Sequence, residues 1–277
     1  MVIEPDAGPT LPSVLRRIAR RGSNWVDLQW SYIVADLEAV APMASGRMLD
    51  VGCGDKPYEA FFRPYVTEYV GVEHEASFAA TRASRNGRGP DVVYDGRTLP
   101  FGDGAFDTVL SVQVLEHTPE PQQLVDEMAR VLAPRGTLIL TAPFSFRLHE
   151  EPHDYFRYSP HGLRAMLARA GLEVVQVRAQ GGLFSVVGHK LNTFLAFRVG
   201  RLEALSQSMG KLGHEEQARL APRYWALPVV LPAMVAMSGV ARLLDRVVPE
   251  PQEALSFLVV ARRARGSGGS PLTAGAG

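Results

Sequence analysis

The stretch "RMLDVGCGDKPYEAFF" at residues 47–62 runs from apolar residues into an acid, then into two glycines one residue apart. After a short buried strand, Gly52 and Gly54 allow a tight turn and let a ligand approach the backbone with no Cβ in the way. A dinucleotide site needs a third glycine in Gly-x-Gly-x-x-Gly, where the helix must start close to the pyrophosphate. Pro57 stands there instead. The P-loop pattern also fails, because Lys56 is followed by Pro57 rather than by Ser or Thr. The loop suits a nucleoside-bearing ligand without a pyrophosphate.

Outward from that loop, strands and helices alternate. "EYVGVEHE", "PDVVYDG" and "FDTVLSVQ" read as the second to fourth strands, "PYEAFFRPY" as a helical turn, and "WVDLQWSYIVADLEAV" as a helix stopped near Pro42. In "TPEPQQLVDEMARVLAPRG", Leu124, Val125, Met128, Val131 and Leu132 share a helical face, Pro121 suits the first turn, and "APRG" is expected to end the helix before a strand at "TLILTAP". Ser159 reads as the N-cap of the next helix and Gly171 as its C-terminal cap, with a buried stripe at Leu163, Met166, Leu167 and Ala170. "LEVVQV" is a sixth strand, and "ALSFLVVARR" a last one after two hydrophobic helical regions. In the first of these, Phe184, Val187, Leu191, Phe194 and Leu195 share a face.

This alternation predicts an α/β fold with a mostly parallel, doubly wound sheet. In such sheets the ligand lies beyond the carboxyl ends of the strands. Glu73 ends the second strand, where a carboxylate can accept from ribose hydroxyls, and Asp95 ends the third, where one can accept from an adenine amino group. Either acid alone is ordinary at a strand end. Their placement after successive strands points to a ligand.

Composition narrows the function classes. The 277 residues, 46% hydrophobic and 21% charged, suffice for one elaborated domain. With 29 basic against 29 acidic residues no global field attracts a polyanion, so nucleic acid is not an expected partner. The single cysteine, Cys53, permits no intramolecular disulfide, and "MVIEPDAGPTLPSVLRRIARRG" lacks the apolar run of a signal peptide. The expected compartment is the cytoplasm. Tyr224–Ala241, "YWALPVVLPAMVAMSGVA", carries no charge and is cut by Pro228 and Pro232. It reads as a membrane span, a membrane-surface element or a buried helix.

"LDVGCG", "YVGVE", "YDGRTLPFGDGAFDTVLSVQVLEH" and "LVDEMARVLAPRGTLILTAP" together resemble the successive motifs of class I S-adenosylmethionine-dependent methyltransferases, the broad group that includes the type 11 methyltransferase domain. The resemblance covers about residues 46–180. It implies a Rossmann-like, doubly wound, seven-stranded, mostly parallel sheet with an antiparallel last strand at 254–262 and a helical insertion, 183–253, before it. It implies S-adenosylmethionine as cofactor, with Asp50, Gly52, Cys53 and Gly54 along its methionine part, Glu73 on the ribose, Asp95 and Gly96 beside the adenine, and Gln113 next to the cofactor after the fourth strand. The remaining divisions are an N-terminal helical extension at 1–45, a core at 46–182, and a disordered tail at 263–277. Many relatives have a third glycine where this chain has Lys56, which removes Lys56 as an expected contact. Cys53 reads as a small packed residue rather than a nucleophile.

Candidate acid–base groups cluster in "FSFRLHEEPHDYFRYSPHGL" after the fifth strand. His153 and Tyr155 are expected to contact substrate, and His117 is either a catalytic imidazole or a cap for the helix that follows it. Asp154 and Arg157 suit a structural ion pair that holds the loop, ahead of substrate binding. Methyl transfer from a sulfonium requires no metal in principle, and Pro152 argues against a metal pair of His149 and His153.

The lid segment "HEEPHDYFRYSPHGLRAMLARAGLEV" is similar to that of methyltransferases found with surface-polysaccharide and glycolipid biosynthesis enzymes. Methylation of a hydroxyl on a saccharide, glycolipid or secondary metabolite is therefore the leading expectation. N- or C-methylation of a small soluble metabolite, or a non-catalytic cofactor-binding scaffold, are the alternatives. The insertion fits peripheral membrane contact, a homodimer interface or a pocket cover.

Overall fold

A computed structural model describes residues 26–77, 89–200, 224–250 and 252–263. Residues 1–25 of the expected N-terminal helical extension, the middle of the insertion and the C-terminal tail from residue 264 lie outside these residues. The described residues fall into two compact units, one within 33–180 and 254–263, the other within 26–32 and 181–253.

The first unit is the predicted seven-stranded sheet. Its strands are β1 (Arg47–Val51), β2 (Glu68–His74), β3 (Val92–Tyr94), β4 (Phe106–Val112), β5 (Leu132–Pro143), β6 (Leu172–Gln180) and β7 (Ser256–Arg263), in the spatial order β3-β2-β1-β4-β5-β7-β6. β1 to β5 pair in parallel, whereas β7 runs antiparallel to both β5 and β6. The order reverses at β1, so the loops after β1 and β4 flank the crevice in which such sheets hold ligands.

Helix α1 (Leu28–Val40) ends in a tight turn at Ala41–Met43 that contains Pro42, and α2 (Glu59–Phe62) is a single turn. Helix α3 (Pro121–Val131) buries Leu124, Val125 and Met128 against the sheet, as its spacing predicts. Helix α4 (Pro160–Arg169) starts where Ser159 Oγ accepts from Gly162 N at 3.1 Å and stops at Gly171, whose φ of 73° favours glycine.

One boundary differs from the sequence reading. "APRG" does not cap α3 and separate it from β5. It lies inside β5 as a bulge, with Phe106 opposite Leu132 but Thr108 already opposite Thr137, and Arg135 at a φ of 67°.

The second unit contains α5 (Leu183–Phe194), continued by a wider turn at Leu195–Val199, and α6 (Leu227–Val247). The Asp245 carboxylate accepts from Gly182 N, Phe184 N and Ser185 N at 2.9–3.1 Å, satisfying donors that the first turn of α5 leaves open. Asn192 donates to Ser238 Oγ at 2.8 Å and to Val26 O at 3.1 Å, inside the unit. Both helices turn apolar residues outward: Val187, Leu191 and Phe194 on α5, and Val229, Val235, Val240, Leu243 and Val247 on α6. The buried-helix reading of 224–241 therefore does not hold for most of α6, since only 22% of its apolar window is buried. By length and composition α6 is sufficient to cross a membrane.

Candidate active site

The residues singled out along the sequence converge on the carboxyl edge of the parallel strands. At the loop after β1, Gly52 N and Cys53 N donate to Val72 O at 2.9 and 3.2 Å, pinning the turn to β2. Gly52 adopts a φ of 74°, and a Cβ there would lie 2.4 Å from the Val114 side chain. Gly54, at a φ of 52°, has nothing within 4 Å of the same added atom, so its backbone faces open space. Gly54 N donates to Glu73 Oε2 at 2.9 Å, and His74 N donates to Glu73 Oε1 at 3.0 Å. A carboxylate has lone pairs to spare beyond these two, so Glu73 is held in place while still able to accept from a diol.

Asp50 is 1% exposed and accepts from Tyr69 Oη at 2.5 Å. Burial raises its pKa from the ordinary 3.8 to about 7, against the lowering effect of the tyrosine. Asp95 uses Oδ1 to accept from Arg97 N and Thr98 N, a local turn that holds its pKa low. Gly96 follows at a φ of 82°, and a Cβ there would strike the His74 ring at 2.6 Å. After β4, Gln113 sits at a φ of 55° with its N donating to Thr141 O and its amide to Thr141 Oγ1.

Two features escaped the sequence reading. Lys56 Nζ pairs with Asp91 Oδ2 at 2.5 Å, and Asp91 also accepts from Gly71 N at 2.7 Å, so Lys56 is committed to bracing β2. Gly71 is needed because a Cβ there would meet Lys56 Cε at 2.6 Å and Cys53 Sγ at 2.7 Å. A lone glycine inside a strand is the signal that marks such an approach. Cys53 is buried, in keeping with a packing role.

The segment after β5 folds back over the loop after β4. Tyr155 N donates to Glu116 O at 2.8 Å, Tyr158 Oη to Leu115 O at 2.9 Å, and Tyr158 N to Pro143 O at 2.8 Å. Asp154 and Arg157 form the expected structural pair, a two-pronged contact at 2.5 and 2.7 Å, and the guanidinium holds the Asp154 carboxyl down to about 2. His149 N also donates to Asp154 Oδ2.

His153 Nδ1 and Tyr155 Oη lie 3.0 Å apart, both rings exposed. His117 does not cap α3. Its Nδ1 donates to His153 O at 2.6 Å, and its ring packs edge-on against His149 with centroids 4.6 Å apart. Glu116 lies close to both, fully buried, its pKa raised by burial to about 8.

Residues 49–140 match the family model described as a methyltransferase domain. This chain carries a methyltransferase domain at residues 49–140. An uncharacterized methyltransferase of Mycobacterium sp. (strain JLS) is 39% identical over 112 residues, which are 39% of this chain and 44% of that protein. One from Mycobacterium leprae (strain Br4923) is 40% identical over 103 residues, 36% of this chain and 38% of its own length. The chain thus spans less than half the length of the curated relatives it matches.

Among solved structures, a chain of the Haloferax volcanii complex between the Trm112 methyltransferase activator and a candidate methyltransferase aligns over 91% of this chain and 96% of its own. The TM-score is 0.52 at 18% identity, a likeness of fold. The family match ends at residue 140, inside β5, so the imidazole-rich segment after β5 lies outside it.

Proposed function

We propose that the protein binds S-adenosylmethionine in the loop after β1 and transfers its methyl group to a hydroxyl of a saccharide, glycolipid or secondary metabolite. The observation that carries cofactor binding is the Gly54–Glu73 contact beside open space. It leaves a glycine backbone and an anchored carboxylate facing the same ligand, with Asp95 and Gln113 following on the next strand ends.

The bound cofactor supplies an activated methyl on a sulfonium. The protein aligns the acceptor and excludes water. Held against Gly54 and Glu73, the cofactor would offer that methyl to an acceptor oxygen placed in line with it. The hydroxyl proton passes to a base, for which the exposed His153, oriented by Tyr155, is the assigned group. His149, kept neutral by burial, lies in the same segment.

The outward apolar faces of α5 and α6 support a glycolipid acceptor, with the protein on the cytoplasmic surface of a membrane. Mass spectrometry of the hydrolysed product tests the acceptor atom. A methyl ether supports this reading, and an N- or C-methyl group replaces it with a soluble-metabolite reaction.

A further inference from the structure

Glu116 lies in the apolar run "VQVLEH" and is 0% exposed, with no hydrogen-bond partner for either carboxylate oxygen among the described residues. A buried carboxyl group left without partners is costly, and the cost is usually met by a proton or a cation. Two imidazoles lie beside it, and the charges of Arg157, Asp154 and Glu150 also act on it. His117 Nε2 is 3.9 Å from Glu116 Oε1, and one ligand atom from each of Glu116, His117 and His149 lies within 4.8 Å of the others.

The orientation of the rings is the second observation. The Nδ1 of His117 faces the His153 carbonyl at 2.6 Å, which can only accept, so Nδ1 carries the proton and Nε2 bears the free lone pair. The Nδ1 of His149 is flanked by Arg147 O and Asp154 Oδ2, each at 3.3 Å, again leaving Nε2. Asp154 is itself fixed by Arg157. Metal-ligating imidazoles are characteristically held this way, by a carbonyl or carboxylate on the other ring nitrogen.

We propose that Glu116, His117 and His149 bind one divalent transition-metal ion. Two imidazoles and one carboxylate favour zinc, cobalt or manganese over magnesium or calcium. Bonds of about 2.0–2.2 Å in a tetrahedral array put ligand atoms about 3.3 Å apart, within reach of small rotations of two half-buried rings. Three protein ligands leave a coordination position for an oxygen of an acceptor. That use rests on the methyl-transfer reading. The binding itself does not, and is measured without any methyl donor. An ion at this site commits His117 as a ligand and leaves His153 as the base.

The test is titration of the purified full chain with Co²⁺, followed by visible absorption and by dialysis. One ion per chain is expected for the wild type. Glu116→Gln, which keeps size, and His149→Ala should each weaken binding about tenfold or more, whereas His161→Ala, outside the cluster, should leave it unchanged. Circular dichroism confirms that each variant is folded. Absence of saturable binding, or equal Co²⁺ affinity in folded Glu116→Gln and His149→Ala, overturns the assignment.

Discussion

Gly54 N donates to Glu73 Oε2 at 2.9 Å, tying the turn after β1 to the end of β2 across 19 residues of sequence. The bond explains why the acid is legible as a functional residue without its being an isolated, solvated strand end. It also fixes what removing it should do. Glu73→Ala deletes a charged acceptor for ribose hydroxyls and loosens the loop, so affinity for S-adenosylmethionine should fall by on the order of 1.5–3 kcal/mol. Calorimetric titration checks this, and an unchanged affinity removes Glu73 from the site.

The two glycines of the loop should respond differently to alanine. Both have positive φ, which costs an L-residue about 1–2 kcal/mol. At Gly52 the new Cβ also collides with Val114, adding about 1–3 kcal/mol of overpacking. At Gly54 it meets nothing in the protein. Gly52→Ala should therefore lower the melting temperature more than Gly54→Ala, while Gly54→Ala should lose cofactor affinity out of proportion to its stability. Equal stability losses would contradict this account of the loop.

Asp50 gives the fold a pH dependence. Its folded pKa, about 7, is above the ordinary 3.8 of the unfolded chain, so between these values the folded state holds more protons than the unfolded state. Its contribution to stability is fully present below about pH 4 and falls as pH rises toward 7. Tyr69 Oη opposes that loss by stabilising the carboxylate. Tyr69→Phe should consequently cost more at pH 8, on the order of 1.5–3 kcal/mol for a hydrogen bond to a charged group, than at pH 5. Urea melts at the two pH values measure the difference. A loss that is equal at both, or larger at pH 5, contradicts the assignment.

The outward residues of α6 supply a separate prediction. Val229 is 73% exposed and Val240 56%, so aspartate at either position disturbs little packing. If these faces meet lipid, Val229→Asp with Val240→Asp should reduce co-flotation with anionic liposomes while leaving cofactor affinity intact. Unchanged flotation, or a shift from dimer to monomer in the variant, assigns the face to another partner.

Much of the fold was legible because the strands are short apolar runs ended by Gly or Asp, and because Ser159 and Gly171 carry their capping chemistry in their side chains or lack of one. The start of β5 was not. Pro134 and Gly136 look like a terminator, and only the pairing of Leu132 with Phe106 across the bulge keeps that stretch in the sheet.

In the site, the glycine loop and the strand-end acids could be found by position. The Lys56–Asp91 brace, the Tyr69–Asp50 bond and the Glu116, His117, His149 grouping join residues 19 to 35 positions apart, and spacing along one strand or helix carries no trace of them. Outward-facing valines on α6 were equally hidden, since an uncharged run reads alike whether its apolar side is buried or exposed.

The measurement that tests the central claim most directly uses methyl-labelled S-adenosylmethionine, the purified full chain and an extract of its own cells, with label counted in aqueous, lipid and polymer fractions. The account predicts label in the lipid or polymer fraction, lost in Glu73→Ala. Failure of label to enter any fraction while S-adenosylmethionine binds normally would contradict it.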